Sequence, residues 1–319
     1  MRFIDELRKR IMVLDGAMGT MIKRACPKAE DYKGYDGCND VLNITSPGII
    51  ENIHREYIDA GADIIETNTF NCNDLSLEKY GLEGKTYEIC LAGASIAKKV
   101  ADSYKDRKIY VAGSVGPTNM SLYFLSQEKD VDMEAEKEKL KKIYTPQIEG
   151  VIDGGADIIL LETVYDSLNA QVAIDTVLEI FHKKGKEIPI FISATVGEKG
   201  RIFSGETPHD LFSKLDRKEI TGYGFNCSYG SAKLMDYVRE LAKDTDKFVV
   251  VYPNAGLPDK DGKYADTPEI MGGYLKELMD SGDINIVGGC CGTTPEHIKI
   301  ISSCAKMGKL RVVHNNCNI

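Results

Sequence analysis

A (β/α)8 barrel, the α/β architecture also called a TIM barrel, is the fold this sequence predicts, and three observations lead to it. Across 319 residues, short runs rich in β-branched side chains are each followed by a turn and a helical stretch. Those runs lack strict polar alternation, as strands buried on both faces do in parallel sheets. Two segments also echo each other, "EYIDAGADIIETNT" at 56–69 and "EGVIDGGADIILLET" at 149–163, each running helix, glycine turn, strand and polar end. Eight such units close into a barrel, for which about 250 residues is typical, and a doubly wound open sheet is the competing arrangement.

The strands read, in order, as "MVLDG" at 12–16, "DIIETNT" at 63–69, "IYVAGSVG" at 109–116 and "DIILLET" at 157–163. They continue as "IFISATV" at 190–196, "GYGFNCS" at 222–228, "FVVVYPNAG" at 248–256 and "INIVGGCCG" at 284–292. Helical periodicity places helices at 49–60, 86–104, 134–153, 167–184, 231–243, 267–280 and 295–306. The stretch 20–48, with its "DYKGYDGCND" turn cluster, reads as an insertion after the first strand, and 117–133 as another after the third. No Gly/Ser/Pro-rich linker divides the chain, so 1–319 reads as a single domain with its barrel core at about 10–305.

A net charge of −9 argues against a nucleic-acid partner or an anionic membrane surface, since neither polyanion is attracted. The N-terminal "MRFIDELRKRIMVLDG" has no signal-peptide core, and no stretch approaches the roughly 20 apolar residues of a membrane span. A cytoplasmic location is therefore expected. In a reducing compartment the nine cysteines should be packing residues, metal ligands or reactive thiols rather than a disulfide framework. Cys90 and Cys304 lie in helical patterns and read as packing residues, whereas Cys26, Cys38 and Cys317 follow no pattern.

Chemistry collects where the apolar runs end: Asp15, then Glu66 with Thr67 and Asn68, Ser114, Glu162 with Thr163, Cys227, Asn254, and the adjacent pair Cys290–Cys291. In a βα barrel, that rim carries the active site. Any one of these residues alone would read as a turn or cap; their joint placement makes the case. Cys227, Cys290 and Cys291 offer three thiolates, a set that suits zinc and leaves a position open for substrate. Gly288, Gly289 and Gly292 would free the backbone from strand geometry so that both adjacent side chains face one ion. No CxxC or zinc-finger spacing is present, so buried unreactive cysteines and a vicinal redox pair stay open as alternatives.

Histidine adds nothing to a metal reading. His54, His182 and His297 fall within or at the start of helical stretches, where surface or capping roles are expected; His209 follows Pro208 near a helix start, and His314 is in the tail. Asp15 precedes "GAMGT", whose free backbone N–H groups could hold a carboxylate. Glu162 ends a strongly apolar strand and would be costly to bury without a cation, either a substrate ammonium or a neighbouring Lys or Arg. Together these groups suggest a receptor for an amino acid that delivers its side chain to a metal.

"LDGAMGTMI", "GADIIETNTFN", "GSVGPTN", "GADIILLETVYD", "GFNCS", "PNAGLP" and "NIVGGCCGTTPEHI" together resemble the homocysteine S-methyltransferase family over about residues 10–305. The likeness is nearest to the N-terminal homocysteine module of cobalamin-dependent methionine synthases; the longer forms of "IETNTFN" and "PNAGLP" favour that branch over the betaine-dependent one. The resemblance implies a zinc ion (Zn2+) held by Cys227, Cys290 and Cys291, with Asn254 a candidate fourth ligand before substrate arrives. It implies homocysteine's amino-acid end held at Asp15, Gly16, Ala17 and Glu162, with Ser114 and Thr67 as further candidates. It also implies methylcobalamin as the methyl donor, carried on a partner module, with corrinoid- and folate-binding modules in cis or in trans. Free-standing relatives that use S-methylmethionine, S-adenosylmethionine or betaine are the alternative, and a non-catalytic zinc- or thiol-binding module is the reading from another class.

Overall fold

The computed structural model describes residues 3–197 and 199–313; His314 and Cys317 lie outside them. Eight parallel strands form one sheet: β1 (Met12–Val13), β2 (Ile64–Glu66), β3 (Tyr110–Val115), β4 (Ile158–Val164), β5 (Ile190–Ala194), β6 (Ile220–Cys227), β7 (Phe248–Pro253) and β8 (Ile286–Val287). Neighbours in sequence are neighbours in space from β2 to β8, and β1 pairs with β8 at Met12↔Ile286 and Val13↔Val287. The ring closes through a parallel bridge, Leu14↔Ile64, where the Asp15 amide donates to the Ile64 carbonyl at 2.9 Å. The barrel expectation holds over the open-sheet alternative.

Burial on both faces explains why the strands read as unbroken apolar runs. One core fills the barrel: Met12, Leu14, Ile64, Ile158, Leu160, Phe191, Val250 and Ile286 point inward, joined by Phe3 and Leu7. Phe3 and Leu7 come from the short helix Phe3–Leu7, and the Phe3 ring meets Tyr110 edge-on at 5.0 Å. The alternate residues, such as Ile65, Val111, Ile159, Leu161 and Val251, pack outward against the helices.

The expected helices are present at Pro47–Ala60, Thr86–Ser103, Met133–Asp153, Ser167–Lys184, Ser231–Asp244, Pro268–Ser281 and Pro295–Ala305. The alternation is completed by Pro208–Leu215 between β5 and β6, a helix too short to announce itself by periodicity. It is capped by the Thr207 hydroxyl, which accepts from the Asp210 amide, with Pro208 in its first turn. The 20–48 insertion forms short helical turns, among them Ala29–Tyr32 and Leu42–Thr45, and the 117–133 segment holds one more at Leu122–Leu125. Among the described residues no helix is long and apolar enough to cross a membrane.

One strand glycine is fixed by contact. A Cβ on Gly224 of β6 would sit 1.8 Å from the Val250 carbonyl oxygen. Backbone cannot retreat there without breaking the β6–β7 ladder, so Gly224→Ala is expected to cost about 3 kcal/mol or more of stability. Chemical denaturation of the variant, read as the shift in midpoint at unchanged slope, checks this.

Candidate metal and substrate site

The strand ends meet at one rim, around a cleft of about 870 Å³. Gly16, Ala17, Glu66, Thr67, Ser114, Glu162, Cys227, Cys290 and Cys291 all line it. The insertion after β1 contributes Lys23, Asn39 and Asp40, and a hairpin after β7 contributes Pro258, Lys263 and Tyr264.

Cys227 closes β6 in an unusual backbone state. It and Ser228 have φ of 52° and 61°, left-handed values that cost an L-residue roughly 1–2 kcal/mol each. The turn is held by hydrogen bonds. Ser228 Oγ accepts from the Val196 amide at 2.9 Å and donates to the Asn226 carbonyl at 2.9 Å. Asn226 is fully buried; its Oδ1 accepts from the Thr163 amide and the Ser193 hydroxyl at 2.9 and 2.8 Å, and its Nδ2 donates to Thr163 Oγ1 at 2.8 Å. The same Nδ2 stands 4.0 Å from Cys290 Sγ. One amide thus ties the ends of β4, β5 and β6 behind the thiols.

The Cys290–Cys291 pair follows β8, which ends at Val287, so neither thiol obeys strand alternation. The glycines act differently from one another. Gly292 is left-handed at φ 82°, as expected, but Gly288 and Gly289 are required for close approach: added Cβ atoms would meet Leu14 Cβ at 2.7 Å and Thr293 Cγ2 at 2.5 Å. The Cys290 amide donates to the Pro253 carbonyl at 2.7 Å, and the Ala255 amide donates to the Cys291 carbonyl at 3.0 Å, which fastens the pair to the end of β7.

All three sulfurs lie within 4.8 Å of one another, and all three cysteines are free. Ligands to a tetrahedral zinc at about 2.3 Å stand about 3.8 Å apart, so the set fits such an ion. Cys227 and Cys290 Sγ, at 2.7 Å, would part by about 1 Å to admit it. Within the cluster, the neighbouring Cys227 and Cys290 thiols hold Cys291 below its ordinary pKa. Cys290 is pushed up by those same contacts and by burial. Binding a cation to such a set would release the protons the thiols carry.

Asn254 lies half-buried at the end of β7. Its Nδ2 donates to the Ser228 carbonyl at 2.9 Å, while its Oδ1 is buried without a partner. It does not line the cleft. That orphaned oxygen is what a ligand waiting for an ion would present.

Three carboxyl groups accompany the thiols, Glu66 and Glu162 in the cleft wall and Asp15 below it. Asp15 and Glu162 are 2% and 4% exposed, and Glu66 has its Oε1 buried and unbonded. Glu162 accepts from the Ser114 hydroxyl, and Asp15 Oδ2 accepts from the Glu66 amide at 3.1 Å, leaving Asp15 Oδ1 orphaned. Among the described residues no Lys, Arg or His forms an ion pair with any of them, which removes the structural alternative for Glu162. Burial pushes the Glu162 carboxyl up to about 7. Asp15 and Glu66 are also raised, first by burial and then by the neighbouring carboxylates. Asp15 sits beneath the cleft rather than in its wall; it reaches the site through the Glu66 backbone.

Gly16 and Ala17 lead into helix Met18–Ala25, whose first N–H groups have no side-chain cap and whose first turn lines the cleft. A Cβ on Gly16 would meet Tyr57 and Thr293 at 2.7 Å. The Ala17 amide donates to Thr293 Oγ1 at 3.1 Å, and the Tyr57 hydroxyl donates to the Ala17 carbonyl at 3.1 Å. Thr67 Oγ1 accepts from the Ser114 amide at 3.0 Å and pairs with Thr69 Oγ1 at 2.6 Å, so it joins β2 to β3 as well as lining the wall.

Histidine behaves as expected at three positions and not at a fourth. His297 caps its helix by accepting from the Thr294 amide at 3.3 Å, His182 is exposed, and His209 pairs with Asp244 on the surface. His54, expected at the surface, is instead fully buried with both ring nitrogens unbonded, and burial lowers its pKa to about 3. It lies on the stripe Ile50, Ile53, Tyr57 and Ile58 that faces the core.

Asn226 and Tyr264 are site residues that sequence reasoning passed over. Asn226→Ala would leave the Thr163 amide and the Ser193 hydroxyl unpaired and loosen the thiol turn. We expect metal affinity to fall about 10- to 100-fold while the far-ultraviolet circular dichroism stays native, measured by competition with a chromogenic chelator.

A family model described as homocysteine S-methyltransferase matches residues 12–305. Among solved structures, the homocysteine methyltransferase MmuM from Escherichia coli is similar in its oxidized form at 22% identity and a TM-score of 0.74, covering 94% of this chain and 97% of that one. Its metallated form is similar at 21% identity and a TM-score of 0.74, covering 94% of this chain and 98% of that one. At these identities the structural likeness speaks to the barrel fold.

Proposed function

The chain belongs to the homocysteine S-methyltransferase family and is a methyltransferase, and from that premise we propose that it methylates homocysteine at sulfur using zinc held by Cys227, Cys290 and Cys291. The observation that carries the reading is a single cleft lined both by three convergent thiols and by the Glu66 and Glu162 carboxyls, which have no ion-pair partner among the described residues. An amino acid with a thiol side chain satisfies both halves at once.

Bound zinc would supply a Lewis acid that keeps a substrate thiol, ordinarily with a pKa near 8.5, as thiolate at neutral pH. The protein's own groups do the rest. Glu162, oriented by Ser114, and Glu66, whose backbone amide donates to Asp15, receive the substrate ammonium, and that cation would favour their carboxylate forms. The uncapped N–H groups after Ala17 take the carboxylate, and Gly16 lets Tyr57 and Thr293 pack against the turn that presents them. Thr67 keeps the second and third strand ends in register. Homocysteine's sulfur then displaces the methyl group from its donor: the new S–C bond forms as the donor's bond to methyl breaks, giving methionine. Asn254 would be the fourth ligand when no substrate is present, which its unbonded Oδ1 supports.

For the donor we infer methylcobalamin presented by a partner corrinoid module, with a folate module to recharge it, in cis or in trans; the motif forms "IETNTFN" and "PNAGLP" support this. Methionine formation measured with methylcobalamin against S-methylmethionine, S-adenosylmethionine and betaine decides. Turnover with methylcobalamin alone is expected, and turnover only with a sulfonium or betaine donor would overturn it.

A further inference from the structure

Strand β4 breaks its alternation at the cleft. Leu161 pairs with Ile192 and Val164 with Ala194, so Glu162 and Thr163 together oppose the single residue Ser193 of β5. This is a one-residue bulge. Alternation from Leu160 aims Glu162 inward, and the bulge adds Thr163 to the same wall: both line the cleft, while Leu161 and Val164 on either side pack outward against the helices. The bulge rests on a backbone state that a β-branched residue rarely adopts, since Thr163 has φ of 57°. Among the described residues six non-glycine positions are left-handed, and three of them, Thr163, Cys227 and Ser228, stand at the ends of β4 and β6. Strain gathered on the two strands that bear a carboxyl and a thiol of one cleft points to a positioning role.

We propose that Thr163 is a positioning residue that fixes the separation between the Glu162 carboxyl and the thiol set, and that this separation selects homocysteine over cysteine. One fully buried amide joins the two strained ends. The N–H of the peptide that follows Glu162 donates to Asn226 Oδ1 at 2.9 Å, and Asn226 Nδ2 donates to Thr163 Oγ1 at 2.8 Å. Asn226 is the residue before Cys227, so the backbone that carries the carboxyl is clasped to the backbone that carries the thiol. Without the Thr163 hydroxyl, Asn226 Nδ2 loses its acceptor in a place water does not reach, and the clasp keeps one of its two bonds. Cysteine presents the same ammonium and thiol on a chain one methylene shorter. An apolar pocket separates such a pair by only about 10- to 200-fold. A site with both ends held makes the shorter chain give up either the carboxyl or the thiols.

The inference rests on the proposed zinc-dependent reading, and the experiment separates the two. Thr163→Val keeps the size and β-branching and removes only the hydroxyl, Thr163→Ala repeats that removal in a smaller side chain, and Thr163→Ser keeps the hydroxyl. Zinc-loaded wild type and variants, with their metal content measured, are titrated calorimetrically with L-homocysteine and with L-cysteine. Wild type is expected to favour homocysteine by about 100-fold or more. Thr163→Val and Thr163→Ala should still take up zinc and lose about tenfold of that preference, through weaker homocysteine binding. Thr163→Ser should keep it. An unchanged preference in the variants without the hydroxyl, or an equal loss in Thr163→Ser, would overturn the role of Thr163 alone. A wild type that binds zinc and takes both thiols equally would overturn the selectivity. A wild type that takes up no zinc would overturn the metal reading together with it.

Discussion

Cys291→Ala, and equally Cys290→Ala, should abolish stoichiometric zinc binding and reduce homocysteine methylation by more than about a thousandfold, with the barrel intact. The reasoning is geometric. Two of the three sulfurs come from consecutive residues, so the loss of either leaves no neighbouring donor to replace it within the 4.8 Å cluster. The barrel should survive either change: both thiols lie beyond the last pair of β8, and Cys290 only borders an inner core built from Met12, Leu160, Phe191 and their neighbours. Metal content by mass spectrometry and activity should fall together, and a zinc-free variant with full activity would contradict the mechanism. Cys304→Ala, at the half-buried helix position, serves as the control that leaves both unchanged.

Glu162→Gln is the second change with a large expected effect, and it acts in two opposite directions. Removing the buried charge that receives the substrate ammonium should raise the homocysteine KM about 100-fold with a much smaller fall in kcat, as expected of a group that binds ground state and transition state alike. The substrate-free protein should respond the other way. Burial raises the Glu162 carboxyl from 4.5 to about 7 in the folded chain. Between those values the native state holds a proton that the unfolded state has released, so stability falls as pH rises through that window and is flat above it. At 1.36 kcal/mol per pH unit the loss amounts to at most about 3 kcal/mol. The amide carries no such penalty. Glu162→Gln should therefore melt higher than wild type at pH 8 and no higher near pH 4.5, by calorimetry without ligand. Added homocysteine should stabilise wild type and leave the variant nearly unmoved.

Much of this arrangement is legible in the sequence because a parallel barrel writes its active rim at the ends of apolar runs. Cys227, the Cys290–Cys291 pair and Glu162 each stand at the end of such a run, and all four residues converge on the cleft. Glu162's missing partner is also foreseeable as a question, since an acid ending "DIILLE" must find a cation somewhere. The rest depends on contacts between distant segments. Asn226 gains its role only because the ends of β4 and β5 arrive beside it, and a lone Asn before a Cys gives no sign of this. Tyr264 sits in "PDKDGKYAD", which reads as a polar turn; the observation that matters is a glycine at 292 with room for a ring. The burial of His54 is written in its spacing: positions 50, 53, 54, 57 and 58 form a helix's core face, a pattern that overrides the polarity of the side chain. At Gly288 and Gly289 close approach to Leu14 and Thr293 is decisive, a contact between distant segments, and not the backbone handedness that governs Gly292.

Zinc-edge X-ray absorption on the protein with and without homocysteine tests the central claim most directly. One zinc per chain is expected, bound by three sulfurs and one lighter donor without substrate and by four sulfurs once homocysteine is added. No stoichiometric zinc, or a coordination shell that homocysteine leaves unchanged, would contradict the account.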